Sequence, residues 1–211
     1  MLSFIEPPTA CTVPKDQTLI TAFLDYGDCK PCIEAQKNLG GILQKYDNVS
    51  VDYEPIMYQR STLGAINKAF VTNKGAVCAE KLGFLDQYTE CNFFNAQFHG
   101  SLDIDFMKAC LGDAGGKSKE TQDAFVACVD DEEHVADAKL ISNTLGAIEW
   151  NPISYWPAFI IDCQYAFVGQ NSLEPYLCSL HPELEGCEAL LPPVEVSDAN
   201  ALLPLVDANV E

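Results

Sequence analysis

Two cysteines separated by two residues are the side chains in this sequence best suited to chemistry. Cys29 and Cys32 follow an apolar run over residues 19–24 and open a segment, 29–46, whose apolar residues have helical spacing. A strand that leads into two cysteines in the first turn of a helix is the arrangement of a thiol–disulfide redox centre. Free N–H groups and the helix dipole stabilise a thiolate there, so we predict Cys29 as the nucleophile and Cys32 as the resolving cysteine.

Neighbouring residues could tune this pair. Lys30 adds a positive charge beside the thiolate, while Asp28 opposes it, and Pro31, placed before the second cysteine, favours a reductase over an oxidase. We expect Lys30 and Pro31 to contact the substrate. Asp25, at the end of the preceding strand, could relay a proton to or from Cys32, although a solvated or capping carboxylate fits the same position.

The same cysteine spacing also fits a structural disulfide or half of a zinc site. A zinc site needs a second pair of cysteine or histidine ligands at similar spacing, and His99, His134 and His181 are each isolated in the sequence. We therefore predict that the protein uses no metal and no cofactor.

The elements that would position the pair occur in an informative order. Strands are predicted at 19–26, 48–55, 158–162 and 165–169, and helices at 29–46 and 172–180. Five further helices are predicted between the second and third strands, near 60–73, 77–87, 102–111, 118–129 and 131–147. This order resembles the thioredoxin plan, an α/β fold, enlarged by a disulfide-rich helical insertion between the second strand and the strand that follows Pro157.

The chain divides along the same lines. We expect an extended lead-in over 1–17, the N-terminal βαβ half of a thioredoxin-like domain over 18–58, a helical insertion over 59–150, the C-terminal ββα half over 151–189, and an acidic, proline-containing tail over 190–211.

Pro157 stands directly before the third predicted strand. In thioredoxin-like folds a proline at this place has a cis peptide bond and lies against the redox pair, where the backbone of the preceding residue can pair with a bound substrate strand. Trp156 would be that residue here. Together with Tyr26 it could form an apolar rim for substrate, although a trans proline at a strand end and aromatic residues in the core are the alternatives.

Composition indicates the environment of the protein. Ten cysteines among 211 residues point to an oxidising compartment, and a formal charge of −19 disfavours nucleic acid and anionic lipid as partners. No apolar run reaches the roughly 18 residues of a membrane span. The N-terminus lacks the pattern of a signal peptide, so we expect a mature fragment whose leader has been removed. Asn48 opens a sequon and is a predicted glycosylation site.

The sequence resembles the gamma-interferon-inducible lysosomal thiol reductase family, with the bacterial oxidase DsbA as a more distant relative of the same plan. The stretches that carry the resemblance are residues 29–32, 48–51, 106–113, and 155–162 continuing through 177–180 to Cys187. The resemblance implies that Cys29 and Cys32 are the redox pair, that Pro157 is the cis proline and that Cys178 pairs with Cys187. It also implies reduction of protein disulfides in an acidic endosomal or lysosomal lumen.

The eight cysteines outside the redox pair can be joined in many ways. Nearness in the sequence favours the pairs Cys178–Cys187, Cys110–Cys128 and Cys78–Cys91, which leaves Cys11–Cys163 as a long bridge.

The leading functional hypothesis is a thiol–disulfide oxidoreductase of the secretory pathway, acting in the extracellular space or in a lysosomal or endosomal lumen. Its partners would be disulfide-containing proteins or peptides, together with a small-thiol or protein electron donor. A disulfide oxidase or isomerase resembling DsbA is the alternative within the same chemistry. A non-catalytic, cysteine-rich binding module on the same scaffold is the alternative from another class.

Overall fold

The computed structural model describes residues 12–27, 29–57, 63–96, 104–113, 115–130, 134–150, 156–168 and 173–189. The strands are β1 (Thr18–Leu24), β2 (Val49–Pro55), β3 (Ala158–Ile161) and β4 (Tyr165–Val168). The helices are α1 (Lys30–Lys45), α2 (Leu63–Lys81), α3 (Leu85–Ala96), α4 (Ile104–Asp113), α5 (Lys119–Asp130), α6 (Val135–Trp150) and α7 (Leu173–Leu180), followed by a short 3-10 helix, Cys187–Ala189.

The strands form one sheet in the order β2-β1-β3-β4. β1 lies inside the sheet, parallel to β2 and antiparallel to β3, and β3 and β4 form the predicted hairpin. All seven residues of β1 are buried. A strand that is covered on both faces favours a nearly continuous apolar run, here interrupted only by Thr21 between Leu19 and Leu24, which is why β1 could be recognised from the sequence.

Helix α1 begins directly after Cys29. Pro31 occupies its first turn, where a missing N–H costs no helical hydrogen bond. The buried face consists of Cys32, Ala35, Leu39 and Ile42. This spacing of three and four residues places the second cysteine of the pair on the face that packs into the protein.

The first part of the insertion differs from the sequence prediction. Helices were predicted at 60–73 and 77–87, but α2 continues without interruption through Gly75. A Cβ atom at Gly75 would come within 2.5 Å of Met107 Sδ and 2.8 Å of the Tyr88 hydroxyl. Glycine is therefore required for close packing between helices, and the residue that looks like a helix breaker lies inside one.

Two nested disulfides hold the insertion together. Cys78 of α2 is bonded to Cys128 of α5, and Cys91 of α3 is bonded to Cys110 of α4. The predicted pairs Cys78–Cys91 and Cys110–Cys128 are therefore wrong. The reason is geometric: α2 packs against α5 and α3 packs against α4, so the cysteines that meet are not the nearest ones along the chain.

The C-terminal disulfide joins α7 to the 3-10 helix. Cys178 and Cys187 are bonded as predicted, with their Cα atoms 5.2 Å apart, and both are fully buried. Cys163, in the β3–β4 turn, is also disulfide-bonded. Its predicted partner, Cys11, lies outside the described residues, as does the tail over 190–211.

None of the helices in the described part of the chain is long and apolar enough to cross a membrane.

Candidate active site

The redox pair lies where the chain leaves β1 and enters α1. Cys29 and Cys32 form a disulfide with their Cα atoms 5.1 Å apart. Cys29 is the N-cap of α1: its Sγ lies 3.1 Å from the backbone N of Cys32, and its carbonyl oxygen accepts hydrogen bonds from the N–H groups of Cys32 and Ile33. The first turn of α1 contains no acidic residue that would offset the positive end of the helix dipole.

The two cysteines differ in exposure. Cys29 keeps 8% of its surface exposed, whereas Cys32 is completely buried. Lys30 and Pro31, between them, are both exposed and are free to meet a substrate. An external thiolate can therefore approach the disulfide only from the side of Cys29.

The register of the sheet places Pro157 at the end of the sheet where the chain leaves β1 toward Cys29. The Trp156–Pro157 peptide bond is cis, as the sequence predicted. Ala158 pairs with Phe23, the penultimate residue of β1, so Pro157 lies level with the end of that strand. The loop to Cys29 starts from the same end. Trp156 is half-buried and packs on a small apolar cluster that includes Phe23 and Ala158.

Asp25 is a buried carboxylate at the start of this loop, with none of its surface exposed. Its Oδ1 accepts a hydrogen bond from the Gly27 N–H at 2.7 Å and another from Asn73 Nδ2 at 2.8 Å. The Oδ1 of Asn73 in turn accepts from the Tyr26 N–H at 2.7 Å. A solvated carboxylate, one of the alternatives for Asp25, is thereby ruled out, whereas its turn-capping role toward Gly27 is present.

Asn73 is the residue of this site that sequence reasoning missed. It lies beside Lys74 and Gly75, a combination typical of a turn, and the sequence predicts it at the end of a helix. In the structure it is a fully buried residue within α2 and connects the insertion to the loop that precedes Cys29. No local pattern marks a buried asparagine of this kind, because its partners lie about fifty residues away along the chain.

The expectation that Tyr26 lines a substrate surface is wrong. Its side chain is fully buried, with the ring 4.8 Å from that of Phe93 and the hydroxyl 2.7 Å from Thr89 Oγ1. Burial raises the pKa of the Tyr26 phenol well above its ordinary value, although the hydrogen bond to Thr89 acts in the opposite direction. Tyr26 thus anchors α3 to the loop, which is the core role that was the alternative.

Two further predictions concern the surroundings of the site. Asn48 is exposed just before β2, so a glycan there would not disturb the core. Among the described residues no group of three or more histidine, cysteine, aspartate or glutamate side chains could hold a metal ion. His134 and His181 instead lie beside the carboxylates of Asp137 and Asp162.

No family model matches the sequence, and no curated protein matches it. Several solved structures are similar to it in fold. A periplasmic thioredoxin-like protein from Salmonella enterica serovar Typhimurium is 17% identical with a TM-score of 0.57, over 80% of this chain and 85% of the other. The thiol–disulfide exchange protein alpha-DsbA2 from Wolbachia pipientis is 16% identical with a TM-score of 0.58, over 80% of this chain and 82% of the other. The oxidoreductase DsbA from Xylella fastidiosa is 15% identical with a TM-score of 0.56, over 80% of this chain and 88% of the other. The predicted fold is confirmed: the chain has a thioredoxin-like fold of the kind seen in DsbA, with a helical insertion.

Proposed function

We propose that this protein is a thiol–disulfide oxidoreductase that reduces disulfides in proteins or peptides. The observation that carries the proposal is the Cys29–Cys32 disulfide at the N-terminus of α1, in which Cys29 keeps 8% of its surface exposed and Cys32 is fully buried. The similarity in fold to proteins described as oxidoreductases and as a thiol–disulfide exchange protein supports the same chemistry.

The reaction begins with the reduced pair. The Cys29 thiolate attacks one sulfur of the substrate disulfide, and the other substrate sulfur leaves as a thiolate that takes up a proton. Cys32 then loses its proton and attacks the Cys29 sulfur, which releases the second substrate thiol. The protein is left with the Cys29–Cys32 disulfide, and two electrons have passed to the substrate. A small thiol or a dithiol protein must then reduce the pair again.

Neighbouring residues have supporting roles in this proposal. Pro157 and Trp156 lie at the same end of the sheet as the pair and offer backbone to a bound substrate strand. Lys30 and Pro31 form the exposed surface beside Cys29. Asp25 is the only carboxylate buried in the loop before the pair, among the residues described, and is the candidate proton relay to Cys32.

The compartment and the family are also proposals. We propose an oxidising, secretory-type location, either extracellular or in a lysosomal or endosomal lumen, because all nine described cysteines are disulfide-bonded. An exposed Asn48 in a sequon is consistent with glycosylation there. The motifs described above favour the gamma-interferon-inducible lysosomal thiol reductase family.

The direction of electron flow has one alternative that an observation favours. The structural neighbours named DsbA suggest a disulfide oxidase, whereas Pro31 before the second cysteine favours a reductase. The reduction potential of the pair distinguishes them: a reductase has a value near that of thioredoxin, about −270 mV, and a strong oxidase a value near −120 mV.

The decisive experiment compares two matched serine variants in an insulin-reduction assay. Cys29→Ser removes the nucleophile and should abolish turnover. Cys32→Ser keeps the nucleophile but removes the resolving thiol, so it should accumulate a mixed disulfide with insulin at Cys29. Turnover by Cys29→Ser would contradict the assigned roles. So would a mixed disulfide between insulin and Cys32 that accumulates in Cys29→Ser.

A further inference from the structure

A groove of about 680 Å³ lies between α1, the outer strand β2 and α3. Its α1 wall is a single stripe of residues: Ile33, Gln36, Lys37, Gly40, Leu43 and Gln44. Cys29 precedes Ile33 by four residues, so it continues this stripe one turn toward the start of the helix. The groove therefore begins at the helical turn that follows the attacking sulfur.

The length of the groove fits a short peptide. From Ile33 to Gln44 the helix advances about 16 Å at 1.5 Å per residue. An extended chain advances about 3.3 Å per residue, so the groove accommodates about five residues of a peptide.

Apolar side chains from all three elements line the groove. Ile33 comes from α1, Val51 from β2 and Phe93 from α3. Leu43 and Phe94, on opposite walls, leave 36% and 64% of their surfaces exposed. Single exposed apolar residues are common, but these two belong to one continuous groove, and an apolar occupant would remove both from water.

The charge of the groove is negative. Asp86 and Glu90 lie one turn apart on α3, and neither pairs with a cation in the part of the chain that the structure describes. Lys37, on the opposite wall, forms an ion pair with Glu34, with its Nζ 3.0 Å from Glu34 Oε1. Burial raises the pKa of Tyr53 to about 12, and the negative charges of Asp86 and Glu90 contribute to this shift, so their field reaches the wall formed by β2.

We propose that this groove binds the segment that flanks a disulfide in a protein substrate, and that the preferred segment is extended, apolar and positively charged. The proposal rests on the proposed function, because it assigns a substrate preference to the same redox centre. A substrate cysteine attached to Cys29 would direct its neighbouring residues along the stripe that starts at Ile33. The apolar walls and the two unpaired carboxylates of the groove then select among sequences.

Charge argues against two other occupants. A second copy of this chain also carries a net charge of −19 and would be repelled from an acidic groove. The chain's own tail over 190–211 contains four acidic residues and no basic ones, so its approach is disfavoured in the same way.

The test uses three disulfide-bonded peptides with identical cysteines, flanked by leucine and lysine, leucine and glutamate, or glycine and serine. For the wild-type protein we expect kcat/KM to be about tenfold higher for the lysine peptide than for the glutamate peptide, mainly through KM, and to fall toward parity at high salt. In Asp86→Lys this preference should be lost. The matched control is Asp123→Lys, an identical charge change at an exposed position on α5, which should keep the preference. Equal rates for the charged peptides, or equal loss in both variants, would overturn the proposal.

The apolar contribution is tested separately. Phe94→Ser should raise KM for the lysine peptide about fivefold, whereas Leu145→Ser, at a similarly exposed position on α6, should leave it unchanged. Reduction of hydroxyethyl disulfide, which has no flanking peptide, reports the redox chemistry alone. Titration with peptides that carry serine in place of cysteine measures the affinity of the groove without the redox step. Dimer formation that blocks this titration, or tighter binding after removal of residues 190–211, would assign the groove to another occupant and refute the proposal.

Discussion

Replacing Asn73 by aspartate tests the buried connection between the helical insertion and the loop that precedes Cys29. The wild-type amide donates to Asp25 at 2.8 Å and accepts from the Tyr26 N–H at 2.7 Å, in a region that no solvent reaches. Asn73→Asp keeps the shape and the acceptor but replaces the donor by a carboxyl group. At low pH the protonated carboxyl can still donate to Asp25. At neutral pH two buried carboxylates would stand at hydrogen-bond distance.

The size of the effect follows from proton linkage. Two like charges at such a distance cannot both ionise in a buried position, so the two carboxyls must keep one proton between them, and the pKa of the group that holds it rises in the folded protein. A raised carboxyl pKa costs no stability below the unfolded value, about 3.9, and costs about 1.4 kcal/mol for each pH unit above it until the folded pKa is reached. If the folded pKa of that group is 7 or higher, the loss at pH 7 is about 4 kcal/mol.

The assay is urea denaturation followed by intrinsic fluorescence between pH 4 and pH 7.5, without reductant. We expect Asn73→Asp and the wild-type protein to differ little in unfolding free energy at pH 4 and by about 4 kcal/mol at pH 7. Asn38→Asp, at an exposed position of α1, makes the same change in net charge and should show no such slope. A difference that does not vary with pH, or one shared by Asn38→Asp, would refute the hydrogen-bonded connection described here.

Two further predictions concern stability. Serine at both Cys78 and Cys128 should lower the unfolding free energy by about 4 kcal/mol in urea denaturation, because their disulfide closes a loop with a sequence separation of 50; a loss below about 1 kcal/mol would contradict this. Glu174→Gln should lower Tm slightly at pH 7. Hydrogen bonds from Lys45 and Tyr46 hold the pKa of Glu174 below its usual range, so the stabilisation is complete above the unfolded pKa and disappears as the pH falls through the lowered one. A Tm difference that persists at lower pH would contradict this.

The parts of the fold that could be predicted from the sequence are those fixed by local chemistry. The nearly continuous apolar run of β1 marks a strand covered on both faces, and Pro31 beside the cysteines marks the first turn of a helix. The β3–β4 hairpin follows from two short apolar runs separated by a turn. In each case the signal lies within about ten residues.

The parts that could not be predicted depend on contacts between distant segments. Gly75 lies inside a helix because Tyr88 and Met107 pack against its bare Cα, and neither contact is visible in the local sequence. The disulfide pairs of the insertion follow the packing of helices rather than nearness along the chain. Tyr26 is buried because α3 covers it, although its place at a strand end was compatible with a substrate surface.

The nesting of the two insertion disulfides has a consequence for how the protein is assembled. The inner cysteines are 19 residues apart and the outer ones 50. Because the entropy lost on closing a loop grows with its length, the inner bond is the easier one to form during oxidation. Once formed, it shortens the free chain between the outer cysteines and raises the frequency with which they meet. Oxidation from the centre outward is therefore the favoured route to this part of the molecule.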